Sequence, residues 1–191
     1  MAETPSTMLE LGTEAPDFTL LEPATARMVA KSEFEGRPLL VAFICNHCPY
    51  VLHIIKVFSV FAQEYQERGI GVVAINSNDV EAYAEDHPEK MTELAKQTGF
   101  TFPYLFDETQ EVAKAYRAAC TPDFFLFDAD HRLVYRGRFD AATPGNREPV
   151  TGAELRAACD ALLEGTPMPE EQRPSMGCNV KWKPGNEPEY A

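Results

Sequence analysis

The sequence predicts an α/β domain in which a buried mixed sheet carries helices on both faces. Continuous apolar runs at residues 36–44 and 70–78 are typical of strands that are buried on both sides. An apolar stripe with helical spacing lies between them, and two apolar runs around a polar turn at 123–140 predict a β-hairpin. A sheet covered on both faces by helices buries all of these apolar surfaces.

The predicted elements follow one another in the order β-β-α-β-α-α-β-β-α. Pro88 breaks or restarts the second helical segment. An extended segment is predicted at 12–20, and strands at 36–44 and 70–78 lie on either side of a helix at 49–69. Helical segments at 79–98 and 109–119 follow, separated by a short extended piece. The hairpin at 123–140 and a last helix at 152–165 complete the domain.

The longest predicted helix follows the strand at 36–44. Pro49 fits its first turn, where a backbone N–H would lack a partner in any case, and Gly69 supplies its end. We expect this helix to have little free surface, and its all-round apolar character leaves room for a homodimer. The apolar residues that lie off its main stripe are Leu52, Val57 and Val60.

Length and composition favour one globular domain. The chain has 191 residues, of which 45% are hydrophobic, which suffices for one substantial core and is short for two domains. We expect a mobile N-terminal lead-in at 1–10, a domain at 11–165 and a proline-rich tail at 166–191. Because the tail carries the only tryptophan, Trp182, and other apolar residues, we expect it to pack on the domain.

The charge of the chain argues against two classes of partner. Seventeen basic and 30 acidic residues give a net charge of −13, which repels phosphate backbones and anionic lipids. We therefore expect neither nucleic acid nor membrane as a partner. The N-terminus lacks the apolar segment of a secretory signal, so we expect a cytoplasmic protein.

Two cysteines three positions apart follow the strand at 36–44. Unpaired N–H groups and the positive end of the helix dipole meet at such a junction, and they lower the pKa of a nearby thiol. We expect Cys45, at the exposed mouth of the turn, to attack, and Cys48, inside the first helical turn, to resolve the mixed disulfide. Asn46 and His47 lie between them and are expected to modulate the pair.

A zinc site is the alternative use of this pair. The chain contains five cysteines, and this odd number argues against a disulfide-built scaffold and for redox or metal chemistry at a subset of them. Zinc needs two further ligands, and the residues that could offer them are scattered along the chain: His53, Cys120 and Cys178. We therefore expect no metal and no other cofactor.

A second element of the site lies at Thr121-Pro122, directly before a predicted strand. Proline is unwelcome in a buried strand, and together with the upstream dithiol this step predicts a cis peptide bond. Such a turn presents the backbone of Thr121 as a short edge. An extended substrate peptide could pair with that edge.

The other three cysteines have different expected roles. Cys120 adjoins the Thr121-Pro122 step and Cys178 lies in the tail, so both are candidates for extra redox roles. The alternative for Cys120 is a small buried apolar residue, and for Cys178 a packing role in the tail. Cys159 lies in the apolar stripe of the last helix and is expected in the core.

The order strand, C-x-x-C, long helix, X-Pro, hairpin and final helix resembles the thioredoxin fold. The opening GTEAPDFTL and the insertion before FPYLFD are similar to the larger redoxins, namely the AhpC/TSA peroxiredoxin and TlpA/ResA-like branches. The resemblance covers roughly residues 10–165, one domain in length. It implies that Cys45 is the nucleophile, Cys48 the resolving thiol and Pro122 a cis-proline beside them.

The sequence departs from both branches at particular positions. Thioredoxins usually carry tryptophan where this chain has Ile44, and a buried acid where it has Leu39. Peroxiredoxins have a proline after the peroxidatic cysteine, as Pro49 follows Cys48 here. The threonine and proline that help peroxiredoxins bind peroxide are replaced by Cys45 and Val41, and the arginine before the hairpin strand by the Thr-Pro step.

We therefore predict a thiol-disulfide oxidoreductase that exchanges a dithiol for a disulfide in cell redox homeostasis. Its partners would be protein or small-molecule disulfides and an upstream thiol reductant. A peroxiredoxin-like thiol peroxidase is the alternative enzyme, with an antioxidant role. A redox sensor or a zinc-holding module that uses the same pair is the non-enzymatic alternative.

Overall fold

The computed structural model describes residues 3–191 of the chain. The strands are β1 (Glu3–Pro5), β2 (Thr19–Glu22), β3 (Arg27–Ala30), β4 (Leu39–Phe43), β5 (Gly71–Asn76), β6 (Tyr104–Phe106), β7 (Cys120–Thr121), β8 (Asp123–Phe127), β9 (Leu133–Gly137) and β10 (Met176–Asn179). The helices are α1 (Pro49–Glu67), α2 (Pro88–Thr98), α3 (Glu111–Tyr116) and α4 (Ala153–Glu164), with 3-10 turns at Lys31–Phe34 and Ala84–Asp86.

A seven-stranded mixed sheet forms the centre of the molecule, as the sequence predicted. Its strand order is β3-β2-β6-β5-β4-β8-β9. The strands β4, β5 and β6 are parallel neighbours, whereas β8 pairs antiparallel with both β4 and β9. Strand β4 therefore lies between a parallel and an antiparallel partner, and its carboxyl end opens onto the start of α1.

The two faces of this sheet have separate cores because side chains alternate along each strand. Leu40 and Ala42 of β4 face the cluster made with α1 and α4. Val41 and Phe43 face the opposite cluster, which contains Tyr116 of α3. All five residues of β4 and all six of β5 are buried, in agreement with the prediction from their continuous apolar runs.

A second, three-stranded antiparallel sheet has the order β1-β10-β7. The N-terminal segment was expected to be a mobile lead-in, but Glu3–Pro5 pairs with Met176–Cys178. The other edge of β10 pairs with β7, so the tail lies against the domain. Three- and four-residue strands carry too little pattern to be recognised, because their partners and not their own sequences define them.

Two predicted helical segments are shorter in the structure, which corrects the prediction. In the segment at 79–98 only α2 is an α-helix, and it begins at Pro88. In the segment at 109–119 the helix α3 spans six residues, because Gln110 and Arg117 on either side have positive φ angles of 65° and 53°. The left-handed conformation of Arg117 ends the helix and lets the chain turn into β7.

The extended segment predicted at 12–20 overlaps β2 at only two residues, whereas the other elements agree with the prediction apart from their edges. The hairpin β8–β9, the helix α4 and the long helix α1 are present, and α1 ends before Gly69. The strand β3, which pairs with β2, was not predicted. Helix α1 has more free surface than expected, since Leu52 is 47% and Val60 65% exposed. Within residues 3–191, no helix is both long and apolar enough to cross a membrane.

Candidate active site

The dithiol lies where β4 ends and α1 begins. Cys48 is the N-cap residue of α1, and Pro49 is the first residue of the helix. Cys45 was expected at an exposed mouth, but it is 1% exposed and Cys48 is fully buried. Cys48 was expected inside the first turn of this helix, but it lies one position before the first helical residue. The free N–H groups of the helix therefore face Cys48 and not Cys45.

The surroundings of Cys48 favour its thiolate. A hydrogen bond from Cys45 is the largest contribution that lowers the pKa of Cys48 to about 5, against the opposing effect of burial. Contacts with three further donors act in the same direction: Cys178, the backbone N–H of Val51 in the first helical turn and the Thr121 side chain. Each donor stabilises the charged sulfur more than the neutral thiol, so Cys48 is the acidic thiol of the pair.

The surroundings of Cys45 favour its protonated form. The hydrogen bond with Cys48, burial and the charge of Asp86 together raise the pKa of Cys45 well above its ordinary value. The hydroxyl of Thr121, at 3.4 Å from the Cys45 Sγ, acts in the opposite direction but is outweighed. These directions oppose the expectation that Cys45 is the acidic thiol, which depended on which sulfur the helix faces.

The peptide bond between Thr121 and Pro122 is cis, as the sequence predicted. The carbonyl oxygen of Thr121 lies 3.1 Å from the Cys48 sulfur, and it accepts a hydrogen bond from the protonated thiol and so opposes its ionisation. The backbone edge that was expected to receive a substrate peptide is occupied by the chain itself. Strand β10 pairs with it, and Cys178 lies opposite Thr121.

Asp86 holds the loop between the two cysteines. Its Oδ1 accepts the backbone N–H of Asn46 at 2.7 Å, and its Oδ2 accepts the side-chain amide of Asn78 at 2.8 Å. The Nδ1 atom of His47 lies 2.7 Å from the same Oδ2, at an angle outside that of a hydrogen bond. Through this contact Asp86 raises the pKa of His47, whose ring stacks on Tyr83.

Two hydrogen bonds also hold the side chain of Asn46. Its side-chain amide donates to the carbonyl of Glu85 at 2.8 Å, and its side-chain oxygen accepts from the hydroxyl of Tyr104 at 3.0 Å. Both modulating residues proposed between the cysteines are therefore held by the segment that precedes α2. No sequence pattern marks Asp86, which stands among similar acids such as Glu81, Glu85 and Glu89.

The sequence profile of the AhpC/TSA family matches residues 11–136, a range that includes both cysteines, Asp86 and Pro122. The chain belongs to the AhpC/TSA family. An uncharacterised conserved protein from Geobacillus kaustophilus is 50% identical, with a TM-score of 0.95 over 97% of this chain and 98% of that chain. This AhpC/TSA protein is thus similar to another chain along nearly its whole length, including the tail.

More distant relatives have names that refer to dithiol chemistry. The thiol-disulfide oxidoreductase ResA of Bacillus thuringiensis subsp. konkukian is 21% identical over 126 residues, which is 66% of this AhpC/TSA chain and 68% of ResA. A putative thiol:disulfide interchange protein DsbE from Chlorobium tepidum is 22% identical, with a TM-score of 0.62 over 82% and 99% of the two chains. These likenesses show the thioredoxin fold that the sequence predicted.

The other two candidate cysteines of this AhpC/TSA protein have different positions relative to the dithiol. Cys178 lies beside Cys48, and burial followed by its hydrogen bond with Cys48 raises its pKa to about 12. Cys120 donates to the carbonyl oxygen of Pro122 at 3.6 Å, and burial raises its pKa well above the ordinary value. Cys159 is fully buried in the core on α4, as predicted.

One group of side chains in the described part of the chain could hold a metal ion. The ligand atoms of Cys45, His47 and Asp86 all lie within 4.8 Å of one another. Thiolate, imidazole and carboxylate are all zinc ligands, and three of them leave a coordination position open. This group shares only Cys45 with the zinc site considered from the sequence, since His53, Cys120 and Cys178 are not part of it.

Two depressions border the buried dithiol. One, of about 130 Å³, lies between Tyr50, Pro122 and Met176. The other, of about 500 Å³ and more open, is lined by Asn46, His47 and residues of α2. Neither Cys45 nor Cys48 lines either depression.

Proposed function

We propose that the protein is a thiol-disulfide oxidoreductase whose attacking residue is Cys48. The observation that carries this proposal is the position of Cys48 at the N-cap of α1, where hydrogen-bond donors lower its pKa to about 5 with a second thiol beside it. At neutral pH such a thiol is almost fully ionised, whereas an ordinary cysteine is ionised to only about a few per cent. The names of the ResA and DsbE relatives support the same chemistry.

The exchange takes two steps. The Cys48 thiolate attacks one sulfur of a substrate disulfide, which breaks the S–S bond and leaves a mixed disulfide on Cys48 and a substrate thiolate. This step removes the Cys48 thiolate and with it the hydrogen bond that is the largest cause of the raised pKa of Cys45. The Cys45 sulfur then attacks Cys48, and its proton goes to the departing second thiolate.

The overall reaction transfers two electrons from the protein to the substrate. The substrate disulfide is reduced to two thiols, and Cys45 and Cys48 become a disulfide. A thiol reductant must then reduce this disulfide before the next turnover. The acidic Cys48 is the better leaving group of the pair, which favours its release when a reductant attacks Cys45.

Single-turnover reduction of dithiobis(nitrobenzoate) tests the proposal. We expect Cys48→Ser to lose at least about tenfold in the rate of the first attack, because burial and the charge of Asp86 still raise the pKa of the remaining Cys45. We expect Cys45→Ser to keep the first attack. Cys159→Ala, which removes a buried thiol of the core, is the matched control. Loss of the first attack in Cys45→Ser but not in Cys48→Ser would overturn the assignment.

A thiol peroxidase is the second candidate, because the acidic thiol is the one that Pro49 follows and the family includes peroxiredoxins. Peroxide would oxidise the Cys48 thiolate to a sulfenic acid, and a neighbouring thiol would then form a disulfide and release water. The replacements at Cys45 and Val41 argue against rapid turnover. Peroxide consumption that needs Cys48 but not Cys45 would favour the peroxidase.

The biological setting stays a prediction. A cytoplasmic location, a role in redox homeostasis, a homodimer through α1 and an upstream thiol reductant are proposals that follow from the sequence. Metal analysis of the reduced protein tests the non-enzymatic alternative, because a zinc-holding module would contain about one ion per chain at the Cys45, His47 and Asp86 group.

A further inference from the structure

Strand β10 occupies the place beside the Thr121-Pro122 turn where an extended peptide could pair. It pairs antiparallel with β7, with Cys178 opposite Thr121 and Asn179 opposite Cys120. The backbone N–H of Val180 continues this pairing by donating to the carbonyl of Ala119 at 3.1 Å. The tail therefore binds to this edge by main-chain hydrogen bonds, which is how added strands are held in general.

Gly177 allows this strand to come unusually close to the turn. A Cβ atom at position 177 would lie 2.0 Å from the carbonyl oxygen of Thr121 and 3.2 Å from the backbone nitrogen of Pro122. Real Cβ atoms are not found at such distances from backbone, so only glycine fits. This close approach places the next residue, Cys178, over the dithiol.

Two thiols, those of Cys45 and Cys178, consequently lie close to Cys48. Cys45 and Cys178 belong to the same buried cluster as Cys48, and Cys178 is 4% exposed. Cys178 lies opposite Thr121 in the strand pairing, and the carbonyl oxygen of Thr121 is 3.1 Å from the Cys48 sulfur. Cys120, by contrast, is bonded to the carbonyl of Pro122. The geometry thus offers Cys48 two neighbouring thiols and not one.

We propose that Cys178 is a resolving thiol for Cys48, and that β10 acts as a built-in substrate strand that carries it. The proposal rests on the proposed function. In this step the Cys178 thiol loses its proton to the departing substrate thiolate, and its sulfur attacks Cys48. The S–S bond between Cys48 and the substrate breaks, a Cys48–Cys178 disulfide forms, and the substrate leaves as a thiol.

Dithiobis(nitrobenzoate) applied to Cys45→Ser isolates this step, because the usual partner of Cys48 is absent. The first attack releases one coloured thiolate per chain. We expect a second equivalent to follow, and peptide mapping by mass spectrometry to find Cys48 linked to Cys178. In Cys45→Ser/Cys178→Ser we expect one equivalent only, with the reagent retained on Cys48. Cys45→Ser/Cys120→Ala is the matched control and should release both.

The outcomes separate the inference from the proposed function. If Cys45→Ser retains the reagent on Cys48, or links Cys48 to Cys120, the role of Cys178 is overturned while the exchange between Cys45 and Cys48 in the unmodified chain stands. If Cys48→Ser reacts like the unmodified chain, the proposed function itself fails. The mapping in Cys45→Ser decides the matter even if the double variants do not fold.

Discussion

Replacing Arg136 with methionine will destabilise the protein by about 3–5 kcal/mol at neutral pH, because it leaves a buried carboxylate without its partner. Arg136 and Asp123 are both fully buried, and a second contact of the pair, from Nη2 to Oδ2, measures 3.0 Å. The guanidinium also lies 3.8 Å from the centre of the Phe125 ring. Denaturant unfolding of the two proteins measures the difference in free energy.

The pH dependence of this loss has a definite sign. Burial already raises the pKa of Asp123, and Arg136 opposes that effect. Without Arg136 the pKa of Asp123 rises further in the folded state, so the folded state binds its proton at a higher pH than the unfolded state does. The destabilisation is therefore largest above the pKa that Asp123 has in the folded variant. It diminishes as the pH falls from that pKa towards the pKa of Asp123 in the unfolded chain.

Arg138→Met is the control for this substitution. Arg138 pairs with Glu154, but the two side chains are 25% and 30% exposed, so solvent screens their interaction. We expect this variant to lose about 1 kcal/mol or less. Equal losses in Arg136→Met and Arg138→Met would contradict the view that the buried pair supports the strand after the cis-proline.

Gly177→Ala will expose Cys48 to alkylation. The new methyl group would lie 2.0 Å from the Thr121 carbonyl oxygen, so β10 must move away from β7. Overpacking of this kind costs about 1–3 kcal/mol, and each 1.4 kcal/mol changes an equilibrium about tenfold. We expect the alkylation rate of Cys48 by iodoacetamide to rise roughly 10- to 100-fold, since reaction requires the covering strand to open.

Gly145→Ala is the matched control for the added methyl group. A Cβ at Gly145 meets nothing within 4 Å, and this residue has no positive φ angle. Its alkylation rate should equal that of the unmodified protein. An unchanged rate in Gly177→Ala, with folding intact, would show that β10 does not control access to Cys48.

The parts of the fold that the sequence predicted are those with a long local pattern. The runs in β4 and β5 and the stripe of α1 each extend over several buried residues, so their periodicity identifies them. The small sheet was not predicted, because β10 is defined by its neighbours on both sides and not by its own four residues. The role of β10 depends on Gly177, which approaches the carbonyl of Thr121, a residue 56 positions earlier in the chain.

The sequence predicted which residues form the candidate site better than it predicted their pKa values. The C-x-x-C pair and the cis-proline were identified, because both have signatures within a few residues. Which cysteine is acidic depends on the contacts of each buried sulfur with Asp86, Cys178 and Thr121, and only the fold brings these residues to the pair. The contact of Asp86 with Asn46 spans 40 positions, and only the fold brings the two together.

The pH titration of thiolate absorbance in the ultraviolet tests most directly whether Cys48 is the acidic thiol. Absorbance reports ionisation even for a buried sulfur, so access of a reagent does not limit it. We predict one thiolate per chain with a midpoint at about 5, which disappears in Cys48→Ser and persists in Cys159→Ala. A first midpoint near the ordinary value of about 8.5, or one that disappears only in Cys45→Ser, would contradict the account.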